Sequence, residues 1–141
     1  MSNLNFNQEY TLQDIVDNLN NENNANLYGD FLDFTRNKFK NGEIKENFFN
    51  FEPKRPNDLD KKHISYFVAV IHSLCHEFNI NTPKWILNNK FVLEDPYFAM
   101  NAKGMLRISL IFESPKEFRM RNMYMTENVI KKVNIRCKIK S

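Results

Sequence analysis

Glycine is scarce in this sequence. Three occur in 141 residues, at positions 29, 42 and 104, and no two are close. A phosphate cradle of either common type needs clustered glycines ahead of a helix, so most nucleotide-binding enzymes are excluded. Cysteine is scarcer still. Cys75 and Cys137 cannot make a disulfide framework, and reduced thiols in a cytoplasmic protein are the expectation. No apolar run reaches the roughly 18 residues of a membrane span. The opening MSNLNFNQEY lacks the basic and apolar regions of a secretory leader. Strong charge is absent too: the net +3 does not by itself imply nucleic acid.

Large aromatic side chains are abundant. Thirteen Phe and 42% hydrophobic residues suit one globular domain, residues 1–141, with a core of flat rings. Charge is unevenly placed. From Lys116 onward eight Lys/Arg stand against two Glu, a net +6, which leaves −3 on the first 115 residues. A basic end on an acidic body suits an acidic partner or nucleic acid, or is simply a solvated face.

Residues 1–10 show no period and are expected to be loose. Thr11 is placed to cap a helix carrying Leu12, Ile15, Val16 and Leu19. The asparagines of 20–26 break that pattern, since their side chains compete for backbone hydrogen bonds. A second helix is expected over 26–40, with Asn41-Gly42 as its stop. A short helix over 43–51 would carry Phe48, Phe49 and Phe51, before the rigid connector made by Pro53 and Pro56.

Residues 58–78 give the clearest helix. Ile64, Phe67, Val68, Ile71, Leu74, Cys75 and Phe78 form a stripe wide enough to pack several neighbours. Phe67 and Ile71 are therefore expected core residues, and Trp85, after Thr82-Pro83, should be buried near them. Residues 90–94 read as extended and 95–98 as a turn. Residues 101–113 read as helix, with a buried strand over 106–112 as the alternative; Pro115 bounds either. Residues 119–125 look extended. Thr126 opens a last helix with Val129, Ile130 and Val133. The alternation of 133–139 suggests a half-buried edge strand with lysines outward.

The fold class expected is mainly α: a single compact helical domain around a central helix at about 58–78, with a minor β component near the C-terminus. The 105–133 segment is expected to pack across that helix.

Catalytic constellations are poorly supported. His72 and His76 lie four apart, but Ser73 stands where a zinc-protease helix carries Glu, and a core-edge pair is the plainer reading. His63, beside two lysines, reads as exposed. Cys75 sits among apolar neighbours that suppress thiol reactivity. Carboxylates such as Glu94-Asp95 and Glu113 are generic. Residues 11–16 resemble the first helix of a helix-turn-helix, but no polar recognition helix follows. No cofactor and no metal are expected, and no membrane.

Phe118-Arg119-Met120-Arg121-Asn122 stands apart. If extended, it places Arg119 and Arg121 on one side, able to grip carboxylates or phosphates bidentately. Alternatively, one arginine clamps loop carbonyls or helix C-termini, or pairs with Asp95 or Glu113.

Pro83-Lys84-Trp85, Pro96-Tyr97-Phe98, the run from Ser114 to Tyr124 and the segment Glu127 to Lys132 together resemble a family of small bacterial proteins. Their shared signature is Ser-Pro-x-x-Phe-Arg-x-Arg-Asn-aromatic; here Met123 takes the aromatic position and Tyr124 follows it. The resemblance implies an antitoxin-like or regulatory protein, some members being encoded beside nucleotidyltransferase-like toxins. The leading expectation is thus a non-enzymatic module binding a cognate protein. Its contact residues would be Phe118, Arg119, Arg121, Asn122, Lys138 and Lys140, with Trp85, Pro115, Phe67 and Ile71 structural. A nucleic-acid binder using the basic C-terminal segment is the alternative, and an enzyme with an unrecognised site the second.

Overall fold

The structure, a computed structural model, describes residues 10–44 and 46–130. Helix α1 (Leu12–Asp17) begins at a capping box. The Asp14 N–H donates to Thr11 Oγ1 (3.3 Å) and the Thr11 N–H to the Asp14 carboxylate (2.8 Å), satisfying two donors at the chain's entry to the helix. In the loop that follows, Asn20 Oδ1 accepts from the N–H groups of Glu22 and Asn23, the competition expected of asparagine. Helix α2 (Ala25–Lys40) turns Leu27, Tyr28, Phe31, Leu32 and Thr35 inward.

Helix α3 (Lys61–Glu77) organises the fold. Phe67, Val68, Ala69, Val70, Ile71, Leu74 and Cys75 are fully buried along it. A helix apolar over most of its circumference must be covered on most sides. Phe67 meets Phe31 edge-on at 5.0 Å, and Tyr66 stacks on Tyr28 at 4.5 Å. The helix stops where Asn79 takes a positive φ of 57° and the Ile80 N–H returns to the Cys75 carbonyl at 2.9 Å, a Schellman ending with Asn in the role glycine often fills.

Several local expectations are corrected. The short helix near 43–51 is a 3₁₀ turn, Glu46–Phe49, with Phe49 buried but Phe51 exposed. Residues 90–94 are not extended throughout: the Asn88 side chain accepts from the Lys90 N–H and starts a 3₁₀ turn, Asn89–Phe91, with extended backbone returning at Val92. Trp85 is only partly buried at the edge of the core, its indole N–H donating to the Phe49 carbonyl at 2.8 Å. His63 is half-buried rather than exposed. Tyr10, assigned to the loose terminus, is buried with its hydroxyl 2.7 Å from Thr35 Oγ1.

Among the described residues the β component is one parallel pair, β1 (Tyr97–Phe98) and β2 (Met123–Tyr124), with Tyr97 opposite Met123 and Phe98 opposite Tyr124. Between the two strands run α4 (Met105–Glu113) and α5 (Lys116–Arg119). Residues 106–112 are therefore helical, and the strand alternative fails. Only part of the 105–133 segment crosses α3: α5 packs on it directly, whereas α4 rests on β2. Residues 119–125 are not extended throughout, because α5 ends at Arg119 and a turn precedes β2. Thr126 leads into a 3₁₀ turn, Glu127–Ile130. Residues 1–9, Val133 and the proposed edge strand of 133–139, with Cys137, Lys138 and Lys140, lie outside the described residues.

Candidate interaction surface

The motif at 118–122 divides by depth. Phe118 is fully buried and meets the Tyr66 ring edge-on at 5.1 Å. Arg121 is only 2% exposed. Its guanidinium donates to the Glu117 carbonyl (2.6 Å) and the Ile86 carbonyl (2.8 Å), and lies 3.1 Å from His72 Nδ1. One planar fork thus ties α5, the turn at Lys84–Leu87 and α3 together, which a point-charge ammonium cannot do. Asn122 takes a positive φ of 65°, tolerable because its short polar side chain is satisfied locally. Its amide donates to the Leu93 carbonyl at 3.1 Å, and its own carbonyl accepts from the Tyr97 N–H at 3.0 Å. Arg119 and Met120 remain exposed. The two arginines therefore do not make a paired outward grip, and neither Asp95 nor Glu113 is among Arg121's hydrogen-bond partners. Pro115 sets the entry to α5, at φ −56° and ψ 144°.

Beneath the motif lies a buried polar group. Glu117 accepts from Ser73 Oγ (3.2 Å) and lies 2.6 Å from His76 Nδ1. Burial raises its pKa, but the hydrogen bonds from His76, its own backbone and Ser73 outweigh that and leave it low. His72 is pushed down to about 4, first by burial and then by the charge of Arg121, so it is neutral at physiological pH and free to accept from the guanidinium. Ser73 and His76 both converge on the carboxylate, which is not the order of a nucleophile–base–acid relay. Among the described residues, no group of three His, Cys, Asp or Glu could hold a metal ion. Burial raises the Cys75 thiol to about 11, the inert condition of a core cysteine.

The surface feature is α4. Met105 is 76% exposed and Phe112 80%, and Leu106, Ile108 and Ile111 are also exposed; of its large apolar side chains only Leu110 is buried. The helix is held by few points. Arg107 Nε donates to the Ala102 carbonyl at 2.8 Å, and its guanidinium lies 4.4 Å from the Phe98 ring centroid. Ser114 Oγ lies 2.6 Å from the Leu110 carbonyl and 3.0 Å from the Met125 carbonyl, its single O–H donating to one of them at a time, and accepts from the Met125 N–H (2.7 Å). Just ahead of the helix, Met100 combines a positive φ of 60° with 64% exposure. The cost of that backbone is not recovered by burying the side chain.

Of the expected contact residues, Arg119 is exposed and near this helix in sequence, Asn122 is half-buried, and Phe118 and Arg121 face inward. The apolar face of α4 was missed because density of apolar residues signals burial. The available clue was their spread around the whole helical circumference in a segment flanked by cations. Comparison with protein-family models, curated proteins and solved structures returns no match.

Proposed function

We propose that the chain is a non-enzymatic interaction module that docks a cognate protein through α4. One observation carries this: five large apolar side chains of a nine-residue helix stand in water. Burying each fully is worth roughly 1.5–3 kcal/mol, and the fold leaves most of that unrealised. Clusters of this kind mark interaction sites rather than ordinary surface.

Charge selects the occupant. Exposed Lys103 and Arg107 lie at one end of the helix and exposed Lys116 and Arg119 just beyond the other, against Glu113 alone. A second copy laid on α4, parallel or antiparallel, would set cations against cations. The fitting partner is a different protein with an apolar groove rimmed by carboxylates, which also speeds encounter. An antitoxin-like role against a nucleotidyltransferase-like toxin is one form of this reading, and rests on the motif resemblance.

The test is co-expression with the product of the adjacent gene, followed by affinity purification of wild type, Ile108→Asp and Phe112→Asp. Truncating or charging a central apolar anchor costs about 2 kcal/mol or more of binding, roughly a thirtyfold loss. Both variants should fold with unchanged melting temperature and lose the partner. Wild type that fails to co-purify, or variants that bind equally, would refute the docking assignment. Wild type that instead floats with anionic vesicles would move the helix from a protein to a lipid surface.

A further inference from the structure

On another part of the molecule, a cleft of about 440 Å³ is lined by Glu52, Pro53, Lys54, Arg55, Lys61, Ile64, Lys90 and Phe91. Its floor is apolar: Pro53, Ile64 and Phe91 are buried. Its rim is cationic. Four Lys/Arg stand against one carboxylate, and that carboxylate, Glu52, is already paired with Lys90. The lining carries +3, as much as the whole chain.

The backbone that presents these cations is fixed. Gln13 grips the connector at two points, accepting from the Lys54 N–H (2.6 Å) and donating to the Lys54 carbonyl (3.0 Å). Asn21 does the same further on, donating to the Asp58 carbonyl and accepting from the Asp60 N–H, both at 2.7 Å. The α3 end adds a second argument. Its first turn holds no acidic residue, and Asp60 at the N-cap makes no side-chain hydrogen bond to it. Lys61 and Lys62 occupy that turn instead. A helix N-terminus carries partial positive charge, so these lysines add to it, with Asp60 at the N-cap as the neighbouring carboxylate.

We propose that this cleft binds a diphosphate group, carried either by free pyrophosphate or by a nucleoside diphosphate. A single phosphate would leave part of the +3 rim unmatched, whereas a diphosphate balances it. The cleft's volume is in the range of small-molecule sites, and Arg55 supplies the forked donor that phosphate oxygens accept bidentately. The assignment is independent of docking at α4.

The full-length protein is titrated at low salt with pyrophosphate and, separately, ADP, by calorimetry and thermal melting, with sulfate at matched ionic strength as control. Wild type should bind one or both and melt higher in their presence. Arg55→Gln and Lys61→Gln should each weaken binding by about tenfold or more. Free Lys61→Gln should melt no lower than wild type, because a lysine leaves the unfavourable end of α3; a merely structural lysine would lower it. Binding of ADP alone assigns the site to a nucleotide, and of both to the diphosphate itself. Phe112→Asp should bind as wild type does. No binding by either ligand, an equal shift from sulfate, or unchanged affinity in the variants overturns the proposal.

Discussion

Replacing Arg121 with methionine isolates what the motif's arginine does. The side chain is enclosed, and it donates to two carbonyls, on Glu117 and Ile86, and to His72. Methionine fills much of the volume and supplies no donor. The Glu117 and Ile86 carbonyls then lack the guanidinium's hydrogen bonds, and the attraction between the guanidinium and the Glu117 charge is lost. Each buried acceptor left unsatisfied costs about 1–3 kcal/mol, so the two carbonyls together cost about 2–6 kcal/mol, a large share of the roughly 5–15 kcal/mol that holds a domain together. For a chain of this size the melting temperature should fall by roughly 10 °C. Arg119→Met, at the exposed neighbour, should stay within about 0.5 kcal/mol. Arg121→Lys should fall between them, since one ammonium cannot reach both carbonyls and the ring. Urea unfolding followed by circular dichroism measures all three. Equal losses at positions 119 and 121, or a loss at 121 under about 1 kcal/mol, would refute the clamp.

Acid should weaken the fold through His72. Its folded value of about 4 lies below its ordinary 6.5, so the contribution is fully present above 6.5 and drains away as pH falls towards 4. Over that window the unfolded chain takes up a proton that the folded chain refuses. The full loss is about 3 kcal/mol, with Glu117, held low, adding its own loss in stronger acid. His72→Gln should flatten the window, leaving the smaller slope from His63, whose value burial also lowers; urea titrations across pH decide it, and an unflattened curve would count against the assignment. Cys75, buried with its thiol raised to about 11, should resist alkylation until the protein unfolds, read peptide by peptide by mass spectrometry. Rapid native labelling at Cys75 would mean the α3 core opens readily. Ser114→Ala should cost about 1–3 kcal/mol, because the buried Met125 N–H loses its acceptor at 2.7 Å.

The sequence by itself determined the central helix, the capped start at Thr11, the second helix and the mainly helical class. Each is written in local chemistry: an apolar period of 3.6, a threonine with Asp14 in reach, a break of asparagines. It did not determine which apolar segments the core would accept. MLRISLIFE carries six apolar residues in nine and Phe67 to Cys75 seven in nine, yet α3 is enclosed and α4 is not. Hydrophobicity states a preference for burial, while the volume available beside α3 is settled by competition among distant segments; Phe31, Phe49 and Phe118 are fully buried there. The arginines of the motif show the same limit. Arg119 and Arg121 are chemically alike and two residues apart, but one turn of chain at a left-handed Asn122 sends β2 alongside β1 and leaves Arg121 under the surface. The meeting of Arg121 with His72 and Ile86 spans dozens of residues, as does the cleft joining Lys54, Lys61 and Lys90. Such juxtapositions have no local signature, because only the packed chain brings those atoms within hydrogen-bonding or electrostatic range.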